Sequence, residues 1–291
     1  LRAAGFAIRA QYARTPGADP AIEWRRHDFT ESLDCAALTE GCAGVVHLAA
    51  SVAHVPTMER LNIEATRALA EAAAKAGARY FGHASSIVVY GSPRTRAVDE
   101  TTPRLNPRAP MAGQYYAEPY MLEYARTKTL AEEALEALAA PMQIDLYRPA
   151  VVADAARLLE ARDWSLPRKV LALYRRTQYI YAPDAAAAIA HLVKRGLEAP
   201  APGAPEAYNI CDEECGSFSA IARRARAVSG DPRWRVPFEL PLLGDTLRYG
   251  TGLAPRHSLW RLKLSNAKLR ATGFSLPTGV PAAVTLALKA G

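Results

Sequence analysis

Tyr124 and Lys128 stand four residues apart in Tyr124-Ala125-Arg126-Thr127-Lys128. On a helix of about 3.6 residues per turn they lie one above the other on one face. A free tyrosine has a pKa of about 10 and is a poor acid or base near neutrality. A neighbouring ammonium favours the phenolate and is expected to draw that pKa down toward the working range. Upstream, Ala84-Ser85-Ser86-Ile87-Val88-Val89-Tyr90-Gly91 places serine hydroxyls at the end of an apolar strand. A hydroxyl there would hold a substrate oxygen against the phenol. Together these residue types move a proton on and off a carbinol or carbonyl oxygen.

The elements that must position them alternate between helix and strand. Leu1 to Ala4 has the look of a helix end closed by Gly5. Phe6 to Tyr12 alternates as a strand, with Phe6, Ile8 and Ala10 on one side. A helix is expected around Leu33 to Leu38, followed by a short strand at Val45-Val46-His47-Leu48. Asn62 to Ala76 is an alanine-rich helix ending near Gly77. Tyr80 to Ser85 is a strand, Glu118 to Ala139 a long helix and Gln143 to Tyr147 another strand. Strands separated by helices of ten or more residues imply a parallel sheet of βαβ units, hence an α/β fold. The segment 93–119 is long for a connection, rich in proline and polar residues with several tyrosines, and marks a functional loop. Beyond Pro149 prolines punctuate short elements, and the tail is expected to be a smaller, helix-poor lobe facing the substrate.

Composition narrows the class. The 291 residues, half of them hydrophobic, suffice for a real core and one to two domains. No apolar run reaches the length of a membrane helix and no signal-peptide pattern opens the chain, so an enzyme of the cytoplasm with no membrane partner is expected. The net charge of +7 is spread out. Arg223, Arg224 and Arg226, and Arg175 with Arg176, read as solvated faces, since no aromatic residues interleave with them to stack bases. No nucleic-acid partner is expected; a phosphorylated small molecule would satisfy the same charge. Cys35, Cys42, Cys211 and Cys215 form no CxxC pair and have no histidine at zinc-ligand spacing, so free thiols and no metal are expected.

Ser86, Tyr124-xxx-Lys128 and the Val89-Tyr90-Gly91 that follows the serine make the sequence resemble the extended short-chain dehydrogenase/reductase superfamily, the NAD(P)-dependent epimerase/dehydratase group. Val46-His47-Leu48-Ala49-Ala50 is similar to that group's strand-to-adenosine turn, and Asp28-Phe29 sits where it places an acid against the adenine. Asn62 opens the next helix as the family's asparagine does, and Arg148-Pro149 resembles the nicotinamide-side turn. Tyr208-Asn209-Ile210 and Ala267-Lys268-Leu269 with Gly273-Phe274 resemble later signatures, so the resemblance spans nearly the whole chain. It implies a Rossmann-like doubly wound parallel sheet in residues 1–150, with 179–212 returning to it, and a substrate lobe from 151–178 and 213–291. It also implies a homodimer built on the Tyr124 helix and the 62–76 helix.

Two departures accompany it. The family's first strand and GxxGxxG turn, which bring backbone N–H groups and a helix N-terminus to the pyrophosphate, would precede Leu1, and nothing in residues 1–20 replaces them. An amino-terminal truncation is expected rather than a true loss, with weak or absent cofactor binding and a destabilised sheet in the chain as it stands. Ser86 and Tyr124 are also 38 positions apart, and Arg148-Pro149 continues into Ala150-Val151-Val152-Ala153 without the family's usual glycine-proline. Both of these differences fall on the substrate side.

By the same resemblance Tyr124 is the general acid/base, Lys128 lowers its pKa and holds the nicotinamide ribose, and Ser86 orients the oxygen, with Ser85 the alternative. Asp28, Phe29, Leu48, Ala49, Ala50, Asn62, Ser85 and Pro149 complete the cofactor contacts. Phe6 to Tyr12 is followed by Ala13-Arg14-Thr15-Pro16, with no acid to bind a ribose 2′-hydroxyl. Arg14 could instead pair with a 2′-phosphate, so NADP is expected, with NAD as second choice. Asp184 is explained by N-capping its helix. Three functions remain open. They are an oxidoreductase acting on a ketone or alcohol, a nucleotide-sugar epimerase or dehydratase, and a non-catalytic sensor or assembly subunit. Ile87 and Val88 stand where dehydratases carry Asp-Glu, and with Tyr115, Tyr116 and Tyr120 they suit a less polar substrate.

Overall fold

The computed structural model describes residues 1–109, 119–173, 178–215, 218–235 and 262–290; Tyr115, Tyr116, Arg175 and Arg176 lie outside them. In chain order the strands are β1 (Ile8–Tyr12), β2 (Ile22–Arg26), β3 (Gly44–His47), β4 (Tyr80–Ala84), β5 (Ala97–Val98), β6 (Gln143–Pro149), β7 (Val151–Ala153), β8 (Tyr179–Tyr181), β9 (Glu206–Ile210) and β10 (Lys263–Leu264). The α-helices are α1 (Ala36–Thr39), α2 (Ala65–Lys75), α3 (Pro119–Glu136), α4 (Ala155–Glu160), α5 (Leu166–Leu173), α6 (Ala182–Glu198), α7 (Phe218–Ser229), α8 (Ala267–Ala271) and α9 (Val280–Ala290).

β3, β4, β6 and β9 form a four-stranded parallel sheet in the order β3-β4-β6-β9, while β1 and β2 pair in parallel as a separate two-stranded piece. These parallel strands, with helices between them, make the α/β fold of Rossmann type that was expected. Although β1 and β3 do not pair, Phe6, just ahead of β1, packs into the same cluster as Val46 of β3. The Arg9 side chain of β1 donates to the Glu40 carbonyl at 2.6 Å, close before β3.

Alternation along β4 distributes the two faces. Phe81 packs with Leu69, Ala70 and Ala73 of α2 and Leu135 of α3. Tyr80 packs with Ala188, Leu192 and Val193 of α6. Alanines on the inner face of α2 let that helix approach closely. A π-helical turn, Glu59–Glu64, precedes it and Gly77 ends it with φ 78°. On the other face, a β-carbon at Gly196 would collide with the Tyr80 ring and one at Gly82 with the Tyr147 hydroxyl, so both positions must lack a side chain.

Three sequence expectations change here. The helix around Leu33–Leu38 shrinks to the single turn α1. The tail is not helix-poor: α4, α7 and α9 pack around Leu158, Ile221, Ala225, Trp234, Val280 and Val284. Among the described residues, prolines such as Pro183, Pro232 and Pro281 stand at helix starts instead of breaking the helices. Asp184 does not cap its own helix, whose N-cap is Tyr181 with no side-chain bond. Its buried carboxylate accepts from the Thr278 and Gly279 amides at 3.0 and 2.7 Å, and Asp212 accepts from Val280 N at 2.6 Å. Two carboxylates thus satisfy amides at the start of α9.

Behind the sheet, Asp145 of β6 is fully buried and accepts from the Tyr80 hydroxyl at 2.9 Å and from Gln143 Nε2 at 3.0 Å. Tyr80 and Tyr147 share a hydrogen bond of 2.5 Å. Burial pushes the Asp145 pKa up from 3.8 to about 6, against the hydrogen bonds from Gln143 and Tyr80. A raised carboxyl pKa contributes stability that is complete below the unfolded value and is lost as pH rises through the folded one. Asp145→Asn is therefore expected to gain on the wild type between pH 4 and pH 7, by on the order of 3 kcal/mol. Urea unfolding at both pH values measures this, and a difference that does not change with pH would show that Asp145 does not titrate with folding.

Candidate active site

The strands run parallel, so their carboxyl ends share one edge, where open α/β sheets bind ligands. Ser85 and Ser86 follow the last residue of β4, Leu48 follows that of β3, and Pro149 is the last of β6. Arg14 and Asp28 lie two residues past the ends of β1 and β2. Helix α3 presents Tyr124 and Lys128 beside β4.

Ser86 has extended backbone (φ −166°, ψ 155°) and caps a 3₁₀ turn, Ile87–Tyr90, its Oγ accepting from Val88 N at 3.4 Å. It also hydrogen-bonds the Tyr124 side chain. Lys128 is buried, and its Nζ donates to the Ala84 carbonyl at 2.6 Å while lying 5.9 Å from the centre of the Tyr124 ring. Serine, tyrosine and lysine are therefore brought together.

Their charge states differ from the sequence expectation. Burial pushes the Tyr124 pKa up to about 12, with the Ser86 hydrogen bond pulling the other way. Burial also drives Lys128 from 10.5 down to about 7, and Glu132 opposes that fall. The expected lowering of the tyrosine is overturned because desolvation disfavours the ionised form of both groups. Moreover, the ammonium is turned toward Ala84.

Several other expected contacts have different partners. Ser85 is buried, and its hydroxyl donates to Glu132 Oε1 at 2.5 Å, whereas Ser86 bonds Tyr124. Phe29 is a core residue, packed edge-on against His27 and His47 at ring distances of 4.9 and 5.7 Å. Asn62 is buried and fully engaged: Oδ1 accepts from Ser51 N (2.8 Å), and Nδ2 donates to Ser51 O (2.9 Å) and Thr127 Oγ1 (3.0 Å). It holds the turn after β3 against α3, one residue from Lys128. Leu48, by contrast, is 59% exposed, too open for a core position, and Ala49 is exposed beside it. Arg14 is exposed. Hydrogen bonds from the Thr30 hydroxyl and amide hold the Asp28 carboxyl below its ordinary pKa, with smaller contributions from the charges of Arg14 and Arg26.

Sequence reasoning missed a buried polar network behind the site. Glu132 accepts from Ser85, from Arg148 Nε and Nη2 (3.0 and 2.6 Å) and from Arg104 Nη1 (2.8 Å). Arg148 Nη1 donates to the Tyr90 hydroxyl at 3.0 Å, which donates to Asn209 Oδ1 at 2.7 Å. The signal was present: Tyr124, Lys128 and Glu132 follow one another at four-residue spacing along one helical face. His47 and His83 were also missed. They pair across β3 and β4, stack at 5.7 Å and carry buried ring nitrogens without partners. Burial first, then the Lys128 charge, depresses both pKa values, to about 3 for His47.

Among the described residues no group of three or more His, Cys, Asp or Glu could hold a metal ion, and no helix is long and apolar enough to cross a membrane. Burial pushes the thiol pKa values of Cys35, Cys211 and Cys215 up.

The sequence model of the NAD dependent epimerase/dehydratase family matches residues 5–211. No curated protein matches the sequence. Among solved structures, a short-chain dehydrogenase/reductase superfamily protein from Agrobacterium tumefaciens with bound NAD superposes with a TM-score of 0.71 at 21% identity, covering 100% of this chain and 91% of that one. Vestitone reductase from alfalfa (Medicago sativa) gives a TM-score of 0.71 at 17% identity, with 98% and 90% covered. A human epimerase family protein with NADPH gives 0.62 at 18% identity, with 99% and 93% covered. These likenesses show the fold, and the match of the family model over residues 5–211 shows that the chain belongs to the NAD dependent epimerase/dehydratase family.

Proposed function

We propose that this protein is an NAD(P)(H)-dependent oxidoreductase that transfers a hydride at a carbinol or carbonyl carbon, with Tyr124 as the general acid/base. The observation that carries the reading is the meeting of Ser86, Tyr124 and Lys128 at the carboxyl ends of parallel strands. A dinucleotide suits that edge. Leu48, Val52 and Val55 are 59%, 49% and 45% exposed just past β3, an apolar surface matched to an adenosine. Asp28 and Leu48 would take the adenosine side, and Arg14 a 2′-phosphate, which favours NADP over NAD. Bound, the nicotinamide supplies or accepts the hydride. Lys128, with one proton spent on Ala84, has two left for the ribose hydroxyls. Ser86 steadies the substrate oxygen, and Tyr124 gives it or takes from it the proton. Protonated at neutral pH, Tyr124 is set to donate, as reduction of a carbonyl requires. Ile87 and Val88 are buried in an apolar cluster and offer no acid for dehydration. The 151–178 and 213–291 lobe would face the substrate, and a second copy would dock through α2 and α3.

The function is tested by a screen of ketones, alcohols and nucleotide sugars that follows both NADPH oxidation and sugar isomers. Tyr124→Phe is expected to cut turnover a hundred- to ten-thousand-fold while sparing dinucleotide affinity; retained turnover would refute its role. Arg14→Ala is expected to weaken NADPH binding about tenfold, the loss of roughly one charge-assisted contact, and to leave NADH binding unchanged. Equal effects on the two would remove Arg14 from the 2′-phosphate. Lys128 has a folded pKa below its ordinary one, so its contribution to stability is full above about pH 10 and is lost as pH falls toward 7. Lys128→Met, with nothing to titrate, is expected to gain on the wild type from pH 10 down to pH 7, by on the order of 4 kcal/mol. Denaturant unfolding at the two pH values measures it, and a constant difference would count against a desolvated ammonium.

A further inference from the structure

We propose, resting on the roles given to Tyr124 and Lys128 above, that Glu132 is a positioning residue of this site: its carboxylate pins the Ser86 segment to helix α3 and faces the Lys128 ammonium as its counter-charge.

Glu132 lies one turn beyond Lys128 and two beyond Tyr124 on α3, with its side chain 0% exposed. Its two oxygens accept four hydrogen bonds, from Ser85, Arg104 and twice from Arg148. Ser85 adjoins Ser86, so the first of these bonds fixes the segment at its start. Tyr90 closes the same segment, and its hydroxyl is held by Arg148 Nη1 and Asn209 Oδ1. Both ends of the Ser86 turn therefore lead back to Glu132, one directly and one through Arg148. An ion pair that merely joined α3 to β6 would need Arg148 alone; the bond to Ser85 adds nothing to that pairing and serves the turn.

The charges around Lys128 point the same way. Among the described residues, the groups that face it are His47 from β3, His83 from β4, and Tyr124 and Glu132 from its own helix. The imidazoles are uncharged near neutrality and the phenol is protonated. Arg104 and Arg148 stand beyond Glu132 and are paired with it. Glu132 is thus the anion that offsets the desolvation of the ammonium. It acts through space, because Lys128 Nζ donates to Ala84 O. Burial opposes its ionisation, but the hydrogen bonds and charge of Arg148, then Ser85 and Arg104, hold its carboxyl below the ordinary range.

The experiment is an NMR titration of the intact chain labelled with ¹³C at lysine Cε. The sequence has seven lysines, and the Lys128 signal is the one lost in Lys128→Met. In Glu132→Gln its midpoint is expected to fall by at least one pH unit, and Glu132→Asp, which restores the charge, is expected to recover more than half of that shift. A Lys128 midpoint unchanged in Glu132→Gln, with only the melting temperature lowered, would reduce Glu132 to a structural ion-pair partner and overturn the proposal. Should Glu132→Gln fail to fold, Ser85→Ala tests the pin, since it leaves the ion pairs intact. Amide exchange across 86–91 is then expected to quicken at least tenfold, and exchange at the wild-type rate would overturn the proposal. Neither measurement needs bound dinucleotide or turnover, so the hydride-transfer reading stands or falls separately, on the Tyr124→Phe result.

Discussion

Glu132 and Arg148 carry full charges into a region that water does not reach, with side chains 0% and 5% exposed. Removing such ions from water costs several kcal/mol each, and the cost is recovered only when the geometry is good and the remaining donors and acceptors are satisfied. Here the guanidinium meets both carboxylate oxygens side-on, Arg104 and Ser85 occupy the other acceptor positions, and Tyr90 takes the third arm of Arg148. The pair joins α3 to β6, two elements that contribute separate parts of the site. A partner deleted from it would leave an uncompensated buried charge, which costs about 3–5 kcal/mol. The position of α3 on the sheet, and with it the placement of Tyr124 and Lys128 against Ser86, depends on this contact more than on any single apolar one.

The price of that placement falls on the site itself. A helix held close enough to bring Tyr124 to Ser86 also shuts Lys128 away from water. Desolvation then disfavours the ammonium and the phenolate together, so the structure holds a protonated tyrosine and a lysine that titrates near neutrality. A ligand that brought hydroxyl groups to the ammonium would replace its lost solvation and raise its pKa. The restored charge would in turn favour the phenolate. In that arrangement the acidity of Tyr124 would be a property of the complex, while in the free protein the phenol keeps its proton.

The sequence made the fold legible wherever period and composition agreed. β3 and β4 stood out as short strands beside Gly44 and Ser85, and α2 as an alanine-rich stretch ending at Gly77; β1, β6 and α3 were legible from the alternation of strand and helix along the chain. β2 escaped because Ile22-Glu23-Trp24-Arg25-Arg26 is mostly exposed, with a burial pattern that leaves Glu23, Arg25 and Arg26 in solvent. A charged, two-residue alternation on a sheet edge is protective against mispairing and carries little hydrophobic signal. The site was legible to the extent that its chemistry resides in spacing, as with Tyr124 and Lys128. Phe29, Asn62 and Ser85 were assigned to the cofactor from their places in the chain, yet their side chains face inward. Position along a strand end is readable, whereas the direction of one side chain depends on neighbours far away in sequence: Glu132 is 47 residues from Ser85 and Thr127 is 65 from Asn62.

The same sheet shows what decides whether a buried carboxyl stays ionised. Asp145 and Glu132 are equally hidden, yet the first titrates near 6 and the second is held below the ordinary range. Depth does not separate them; their donors do. Asp145 receives a phenol and an amide, which are neutral and repay little of the lost hydration. Glu132 receives two guanidinium groups and a hydroxyl. Near neutral pH both carry charge, but Asp145 gives it up near pH 6, whereas Glu132 is held below the ordinary carboxylate range. The carboxylate on the α3 side therefore offers Lys128 a constant field while the one on the α6 side switches. Charge is held fixed on the face that carries Tyr124 and Lys128 and varies on the face packed against α6.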